Sequence, residues 1–467
     1  MNHSRRVIPR RGSTNSAEYE PLTGSEYPTE MQQAVPIFED EDEDQMVPFS
    51  WLEYGIFGFL GVAMLWSWNM FLAAAPYFAS RFAGDKWIEK NFQPTILTVS
   101  TITSLVSVLI LTNIQRKASY PYRINLALII NTVVFALLTA STSLFLGSSP
   151  RAYFGFVLVM VASASWATGL LQNGALAFAS SFGRPEYMQS LVAGQGLAGI
   201  LPALAEVVSV LMFPSKKPDS GGDEDEVSRA EEGKTSAFVY FLAAVTISII
   251  AIAALLPLVR RHKYMVDGQV AAQVTESIHS VDDAEHAARK VTSMAVLFSK
   301  LRWLATGITL IFAVTMFFPV FTNKVVSVRS TEASVGIFAP EAFIPLAYFF
   351  WNLGDFSGRI FTTIGGQTGT KPIVLFLLAV LRIAQVPLYF LCNLGGRGAI
   401  VSSDFFYLFL VQLPFGFTNG WLCSRLMTSA GSWVDPGERE AAGGFMGLCL
   451  IIGLTIGSLL SFTAAHA

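Results

Sequence analysis

An aspartate and an arginine lie four residues apart inside an otherwise apolar stretch of this chain. Asp355 and Arg359 fall between about residues 338 and 364, and Asn352 precedes Asp355 by three positions. In a helix this spacing places the side chains near one face, where the two charges offset each other. A charge near the centre of a bilayer costs on the order of 3 kcal/mol, and such residues usually line a cavity. The group offers donors and acceptors for a polyhydroxylated solute; the alternative is an ion pair that only fixes helix packing.

Further polar and aromatic residues interrupt other apolar stretches. Trp68 and Asn69 fall in the middle of the first stretch, where Trp68 could stack on a planar ring and Asn69 could bond to its polar edge. A plain contact between helices is the alternative for both. Gln172 interrupts the fourth stretch and Asn419 the tenth. Stacking aromatics with a few convergent polar groups are typical of a cavity for a nucleoside-like ligand.

Three other residues within the predicted helices are unusual for an apolar span. Pro319 is expected to kink the seventh, because its ring removes a backbone hydrogen bond. Glu206 lies within the fifth and Arg382 within the ninth. Their sequence positions allow them to pair across helices or to face water.

The composition identifies the elements that must position these side chains. The chain has 467 residues, of which 52% are hydrophobic and 14% charged, whereas a soluble domain carries about 25% charged residues. A membrane-spanning helix needs about 20 apolar residues. We therefore predict an all-α membrane protein with eleven transmembrane helices, at about residues 52–79, 94–114, 123–146, 152–180, 187–213, 236–259, 303–323, 338–364, 372–392, 403–426 and 441–464.

The predicted spans divide the chain into four parts. Residues 1–50 are polar and are expected to form a disordered cytoplasmic tail. A six-helix lobe (51–259) and a five-helix lobe (302–467) are expected to flank a cytoplasmic linker (260–301), an arrangement common in two-lobed transporters. The distribution of Lys and Arg among the loops favours a cytoplasmic N-terminus and a C-terminus on the opposite side.

Two nucleotide-like motifs do not support an enzyme. Residues 194–199 read Gly-Gln-Gly-Leu-Ala-Gly, but a dinucleotide site needs this pattern between a strand and a helix. Within an apolar span, small residues instead let two helices approach closely. The phosphate-loop-like end at 233–235 has Ser228 where the first glycine is needed. We predict no enzymatic activity, cofactor or metal site, and the net charge of -3 gives no indication of nucleic-acid binding.

Five motifs, in order along about residues 50–467, make the chain resemble the equilibrative nucleoside transporter family, and its fungal members in particular. They are Trp68-Asn69 followed by an aromatic, Gln172-Asn173-Gly174, the glycine-rich segment 194–199, Asn352-Leu353-Gly354-Asp355-Phe356-Ser357-Gly358-Arg359 and Phe417-Thr418-Asn419-Gly420-Trp421-Leu422.

The resemblance implies a fold similar to the major facilitator type, with a six-helix and a five-helix lobe. It implies transport of nucleosides, and sometimes nucleobases, down their gradient by alternating access. It also implies roles for individual residues. Trp68 would contact the base, Gln172 would hydrogen-bond to it, and Asp355 with Arg359 would bind the ribose hydroxyls. Asn352, Leu65, Leu72 and Tyr348 would line the pocket. Apart from the resemblance, we expect Gly196, Pro319 and Asn419 to serve structure or gating.

Two other functions remain open at this point. Glu206 or Asp355 could load a proton, which would make the protein a proton-coupled nucleoside symporter. The tail and linker could instead serve a membrane receptor or scaffold.

The sequence also suggests a location and an assembly state. Glu18-Tyr19-Glu20-Pro21-Leu22 resembles an acidic, leucine-based sorting signal, which favours a vacuolar or lysosomal membrane over the plasma membrane. We expect a monomer whose partners are nucleosides and the lipid bilayer.

Overall fold

The computed structural model describes residues 49–114, 119–144, 146–212, 223–276, 292–329, 337–338, 340–364 and 371–465. Nearly all of them are helical. The helices are α1 (Trp51–Ala73), α2 (Ala75–Phe82), α3 (Lys86–Asn113), α4 (Tyr120–Ser143), α5 (Pro150–Ser181), α6 (Pro185–Met212), α7 (Asp223–Glu276), α8 (Met294–Thr315), α9 (Phe317–Thr322), α10 (Pro340–Ile364), α11 (Pro372–Leu381), α12 (Leu413–Ala430) and α13 (Arg439–Ala465). Residues 1–48 of the expected tail and 277–291 of the expected linker lie outside the described residues.

Eight helical segments of the described chain are long and apolar enough to cross a membrane, which confirms the prediction of an all-α membrane protein. They correspond to the first four, the sixth, the seventh, the ninth and the last of the predicted spans. The other three predicted spans are also helical and form α6, α10 and α12, but they do not meet the same test of length and composition. All three carry buried polar residues, such as Gln195, Asp355 and Asn419. The number eleven therefore stays a prediction.

The surface of the helical bundle is apolar in the way that a lipid environment requires. Large hydrophobic side chains are exposed along α3, α4, α7 and α11, among them Val106, Val133, Ile249 and Leu377. A soluble protein rarely exposes so many contiguous apolar side chains. Lipid tails would contact this surface.

Several helices depart from the lengths that the sequence predicts. The first span is divided into α1 and α2, and α7 extends beyond the predicted 236–259 at both ends. The expected linker 260–301 is thus helical through Glu276 and again from Met294. A 3₁₀ segment (Arg382–Leu391) continues α11, and a π-helical segment (Phe406–Gln412) leads into α12. Irregular turns of this kind often occur at functional positions.

The seventh predicted span is interrupted near its proline. The helix α8 ends at Thr315 and α9 begins at Phe317. Pro319 has no backbone N–H to donate to the carbonyl of Thr315, four residues earlier, and its ring crowds that carbonyl. The interruption leaves Thr315 at the end of α8, beside the polar interior.

Three hydrophobic clusters divide the interior by height along the bundle. We call α1–α7 the N-terminal group and α8–α13 the C-terminal group. The largest cluster joins both groups, for example Leu176 and Phe178 with Met427 and Met446. We call the end of the bundle where this shared cluster lies, and where α5 passes into α6, the closed end. Toward the opposite end the groups have separate clusters, one around Phe82 and the other including Phe321, Tyr389 and Tyr407.

Glycines allow α10 and α12 to pack with their backbones almost in contact. A Cβ placed on Gly358 would overlap the carbonyl oxygen of Phe417, and one on Gly420 would overlap that of Asp355. Gly453 and Gly457 of α13 are packed in the same way against the backbone of α8. Small residues at helix interfaces provide the close van der Waals packing on which helix association in membranes depends.

This packing predicts that Gly358→Ala destabilises the protein by about 1–3 kcal/mol, because the added methyl group would force α10 and α12 apart. The thermal unfolding temperature of purified protein in detergent measures the effect. Gly155→Ala is the matched control, since its Cβ would meet no atom within 4 Å. Equal unfolding temperatures for the two variants would contradict the close packing.

Candidate functional site

Asp355 and Arg359 form a buried ion pair across one turn of α10. The Arg359 Nε donates to the Asp355 Oδ2 at 2.7 Å, and the two residues are 5% and 3% exposed. The sequence places them on one helical face, and the structure shows that they bond directly. Removing one member of such a pair leaves an uncompensated buried charge, at a cost of about 3–5 kcal/mol.

Arg359 also connects the two helix groups. Its Nη1 donates to the carbonyl oxygen of Val192 in α6 at 2.7 Å, and it lies 3.4 Å from the Gln195 Oε1. A Cβ on Gly196 would lie 2.8 Å from the Arg359 Cδ, so the glycine leaves space for the arginine side chain. The arginine thus binds a carboxylate in its own group and a backbone carbonyl in the other.

The remaining oxygen of Asp355 is held by α12. The Asn419 Nδ2 donates to the Asp355 Oδ1 at 2.7 Å, and the Thr315 hydroxyl lies 2.7 Å from the Asn419 Oδ1. Asn419 is 1% exposed, and Thr315 is also buried. Asn419 therefore contacts the ion pair itself, a position that its sequence motif does not reveal.

The glycine-rich segment of α6 lies between α1 and α10. The Asn69 Nδ2 donates to the carbonyl oxygen of Ala198 at 2.7 Å. A Cβ on Gly194 would overlap the backbone of Gly58 in α1, and one on Gly199 would overlap the amide of Asn352. Part of the hydrogen-bonding capacity of Asn69 is therefore used in a contact between helices.

Trp68 and Leu65 are partly buried on α1, and Trp68 packs against the hydrophobic cluster of the N-terminal group. Trp68 falls between Met64 of the shared cluster and Met70 of the separate one. It therefore lies at the height where the two groups cease to share a core. The side chains of Leu72 and Glu206 are outside the part of the structure that is described.

Gln172 is buried in α5 with an amide group that forms no hydrogen bond to any described residue. Its neighbour Asn173 differs, because the Asn173 Oδ1 accepts from the Arg123 Nη1 at 2.5 Å. Arg123 also donates to the carbonyl oxygen of Leu111 at the end of α3. Asn173 thus serves the packing of the N-terminal group, whereas the Gln172 amide is available to a ligand.

Aromatic side chains of α9 and α10 pack together along the helix that carries the ion pair. The Tyr348 hydroxyl donates to the Asn323 Oδ1 at 3.1 Å, and the Asn352 Nδ2 donates to the Tyr348 carbonyl at 2.9 Å. Trp351 stacks on Phe318, with ring centroids 4.3 Å apart. The Trp351 Nε1 is buried without a hydrogen-bond partner among the described atoms. Trp351 has no predicted role, although an aromatic residue next to Asn352 was a usable signal.

Arg382 neither faces water nor bonds to a carboxylate in the described part of the chain. It is 2% exposed, and its guanidinium donates to the carbonyl oxygens of Ile311 and Phe415 at 2.8 and 3.1 Å. Of the alternatives that the sequence leaves open, exposure to water is therefore wrong.

The closed end carries further contacts between the groups. The Gln189 Nε2 in α6 donates to the Thr362 hydroxyl in α10 at 2.8 Å, and both residues are buried. A Cβ on Gly443 of α13 would overlap Ser180 of α5. A small cleft beside these contacts is lined from both groups, by Arg184 and Met188 on one side and by Thr428, Ser432 and Arg439 on the other.

The polar residues thus lie at the level where the shared core gives way to two separate cores. Asp355 and Arg359 remain linked to α6 and α12 there, while Trp68, Asn352 and Tyr348 are partly exposed around them. Such an arrangement can bind a solute that has both a planar apolar part and several hydroxyl groups.

Comparisons with known proteins agree with this interpretation. A family model described as nucleoside transporter matches residues 158–466. The chain is 28% identical to the nucleoside transporter FUN26 of Saccharomyces cerevisiae, with 88% of this chain and 83% of that protein covered. It is 26% identical to equilibrative nucleoside transporter 1 of Rattus norvegicus, with 87% and 95% covered.

Solved structures with a similar fold are transporters of the major facilitator superfamily. The fucose:proton symporter FucP of E. coli aligns with a TM-score of 0.54 at 14% identity, covering 88% of this chain and 91% of that one. The proton:xylose symporter XylE aligns with a TM-score of 0.55 at 12% identity, covering 89% and 90%. At these identities the likeness concerns the fold alone. Since the family model covers most of the chain, the protein belongs to the nucleoside transporter family, and it is a transporter rather than an enzyme, as its motifs predict.

Proposed function

We propose that this protein carries nucleosides, with nucleobases as a further class, down their gradient across a membrane by alternating access. Eleven transmembrane helices would form a six-helix lobe and a five-helix lobe that rock about a central site. The observation that carries the proposal is the buried Asp355–Arg359 pair, which lies at the contact between the two helix groups. The names of its relatives, nucleoside transporters in yeast and mammals, support the choice of substrate.

The ion pair keeps unused capacity for ribose hydroxyls. Each oxygen of the Asp355 carboxylate accepts one hydrogen bond from a described residue, although an ionised carboxylate can accept about four in all. Arg359 donates from Nε and Nη1, and its Nη2 donates to none of the described residues. Two vicinal hydroxyl groups can donate to the carboxylate and accept from the free guanidinium nitrogen.

The base would lie toward α1 and α5. The unpaired amide of Gln172 can donate to and accept from the polar edge of a base, and Trp68 offers a ring for stacking. Stacked or edge-on aromatic pairs contribute about 0.5–1.5 kcal/mol beyond the area that they bury. Leu65, Leu72, Asn352 and Tyr348 would complete the pocket.

Binding and opening would be coupled through Arg359. Its bond to the Val192 carbonyl holds α10 against α6 at the boundary of the shared core, and the Gln189–Thr362 contact joins the same two helices at the closed end. A ligand shifts a conformational equilibrium only by binding one state better than the other. A nucleoside that competes for the donors of Arg359 weakens this link and favours separation of the groups.

The proposed topology places the N-terminus and the closed end on the cytoplasmic side. This follows from the distribution of Lys and Arg among the loops. The segment Glu18–Leu22, which lies outside the described residues, supports a vacuolar-type membrane.

Purified protein in liposomes tests the function directly. We expect saturable uptake of radiolabelled uridine that is independent of an imposed pH gradient and of an uncoupler. Uptake driven by the pH gradient would instead establish the proton-coupled symporter. An absence of flux above empty liposomes would leave the receptor or scaffold and overturn the proposal.

The ion pair should be essential for ribonucleoside transport. We expect Asp355→Asn and Arg359→Lys to lower uridine uptake at least a hundredfold, because each removes a charge-assisted or forked hydrogen bond to the ribose. Size-exclusion profiles of the purified variants show whether the protein remains folded. Asp85→Asn is the matched control, since Asp85 pairs with the exposed Arg151 far from the site. Wild-type uptake by folded Asp355→Asn protein would refute the assigned role.

Separation of the groups at the closed end should be required for transport. We expect a Gln189→Cys, Thr362→Cys protein to lose uptake when a short bifunctional thiol reagent joins the two positions, and to regain it on cleavage of the link. The matched control joins Ser100→Cys to Ser165→Cys, whose native hydroxyls lie 2.8 Å apart within the N-terminal group. Full transport by the double variant while its positions 189 and 362 are cross-linked would rule out alternating access at this interface.

A further inference from the structure

Arg382 is a second buried arginine beside the ion pair, and none of the sequence motifs assigns it a function. It lies at the point where α11 changes to a 3₁₀ helix. Its Nη1 donates to the Ile311 carbonyl at 2.8 Å and to the Thr315 hydroxyl at 3.1 Å, and its Nη2 donates to the Phe415 carbonyl at 3.1 Å. These described partners are all neutral, so the full positive charge of Arg382 is held among backbone and hydroxyl dipoles.

A chain of hydrogen bonds leads from Arg382 to the candidate site. Thr315 bonds to Asn419, Asn419 bonds to Asp355, and Asp355 accepts from Arg359. All of these residues are buried. In a water-poor interior, consecutive hydrogen bonds polarise and strengthen one another.

The donors and acceptors at the two ends favour one direction for every bond in this chain. The ionised Asp355 can only accept, so the NH₂ of Asn419 must face it and the Asn419 Oδ1 must face Thr315. The Thr315 hydroxyl lies 2.7 Å from the carbonyl oxygen of Ile311 as well as from the Asn419 Oδ1, and its one proton can serve only one of them. Because Arg382 already donates to the Ile311 carbonyl, the proton of the hydroxyl is left for Asn419. The lone pair of the hydroxyl is left to accept from Arg382, which has donors only. If the side chain at position 382 could accept a hydrogen bond, the Thr315 hydroxyl could donate to it and turn away from Asn419.

We propose that Arg382 is a positioning residue for nucleoside recognition: through Thr315 and Asn419 its guanidinium holds the Asp355 carboxylate in the orientation that accepts ribose hydroxyls. This assignment rests on the proposed function. It goes further by making recognition of the ribose depend on a residue that does not touch the ligand. The same bonds also tie α8, α11 and α12 together, so the test must separate orientation of Asp355 from packing of these helices.

The test compares a ribonucleoside with its analogue that lacks the hydroxyl groups. Competition constants of adenosine and 2′,3′-dideoxyadenosine against uptake of radiolabelled uridine are measured for each variant in liposomes. The readout is the preference, defined as the constant for the dideoxy analogue divided by the constant for adenosine. A general loss of packing alters both constants together and leaves the preference unchanged.

Two variants break the chain at different links. Thr315→Val removes the bridging hydroxyl with little change in volume, and Arg382→Lys keeps the charge but loses the forked geometry. We expect each to lower the preference about five- to tenfold, the size of one lost buried hydrogen bond. Thr309→Val is the matched control in the same helix, because the Thr309 hydroxyl bonds to the carbonyls of Ala305 and Cys449 and to no member of the chain from Arg382 to Asp355. Its preference should equal that of the wild type.

The outcomes separate this assignment from the function on which it rests. If the wild-type protein transports uridine and prefers adenosine, but folded Thr315→Val keeps the wild-type preference, the assignment is overturned while the proposed function stands. If Arg382→Lys fails to fold, Thr315→Val alone decides. If the wild type shows no uridine uptake, the proposed function and this assignment both fall.

Discussion

The bond network of Arg359 is the interaction on which the rest of the structure depends. One guanidinium neutralises Asp355 in its own helix and at the same time donates to the carbonyl oxygen of Val192 in the other helix group. Inside a membrane an arginine is costly unless its charge is paired and it bonds to neighbouring polar groups. The contact between the groups therefore offsets part of the free-energy cost of burying Arg359 in α10. Any rearrangement that separates the groups must offer Arg359 another acceptor, and the hydroxyl oxygens of a ribose are suited to that role.

The helices around this interaction are arranged to bring it to the interface. Glycines in α6 leave room for Arg359 and Asn352, and glycines in α10 and α12 bring Asp355 within reach of Asn419. The hydrophobic core is shared between the groups at the closed end and separate at the other, so the polar residues lie at the boundary between the two arrangements. A transporter needs such a boundary, because contacts at one end must break as those at the other form.

Much of this arrangement could be predicted from the sequence. Apolar stretches identified the helices, and the i, i+4 spacing placed Asp355 beside Arg359. The packing could not be predicted, because apolar stretches do not state which helices are neighbours. For Asn69 the sequence left a ligand contact and a contact between helices open, and the structure shows that its amide donates to α6. Asn419 was expected to serve structure or gating, and the structure shows that it bonds to Asp355. Thr315 gave no signal, since one threonine in an apolar helix usually bonds to its own backbone. Pro319 suggested a bend, but only the structure shows that the helix ends at Thr315, beside the buried polar residues.

The central claim is that nucleoside binding at Asp355 and Arg359 releases the closed end. Spin labels can be placed at Ser181, which follows the cleft residue Ser180 in the N-terminal group, and at Ser432 on the opposite side of the cleft. Pulsed electron resonance in liposomes then measures the distance between the groups. We predict that saturating uridine shifts part of the population to a longer distance in the wild type, and that the shift is absent in Asp355→Asn protein. A distance distribution that uridine leaves unchanged in the wild type, while the same labelled protein transports uridine, would contradict the account.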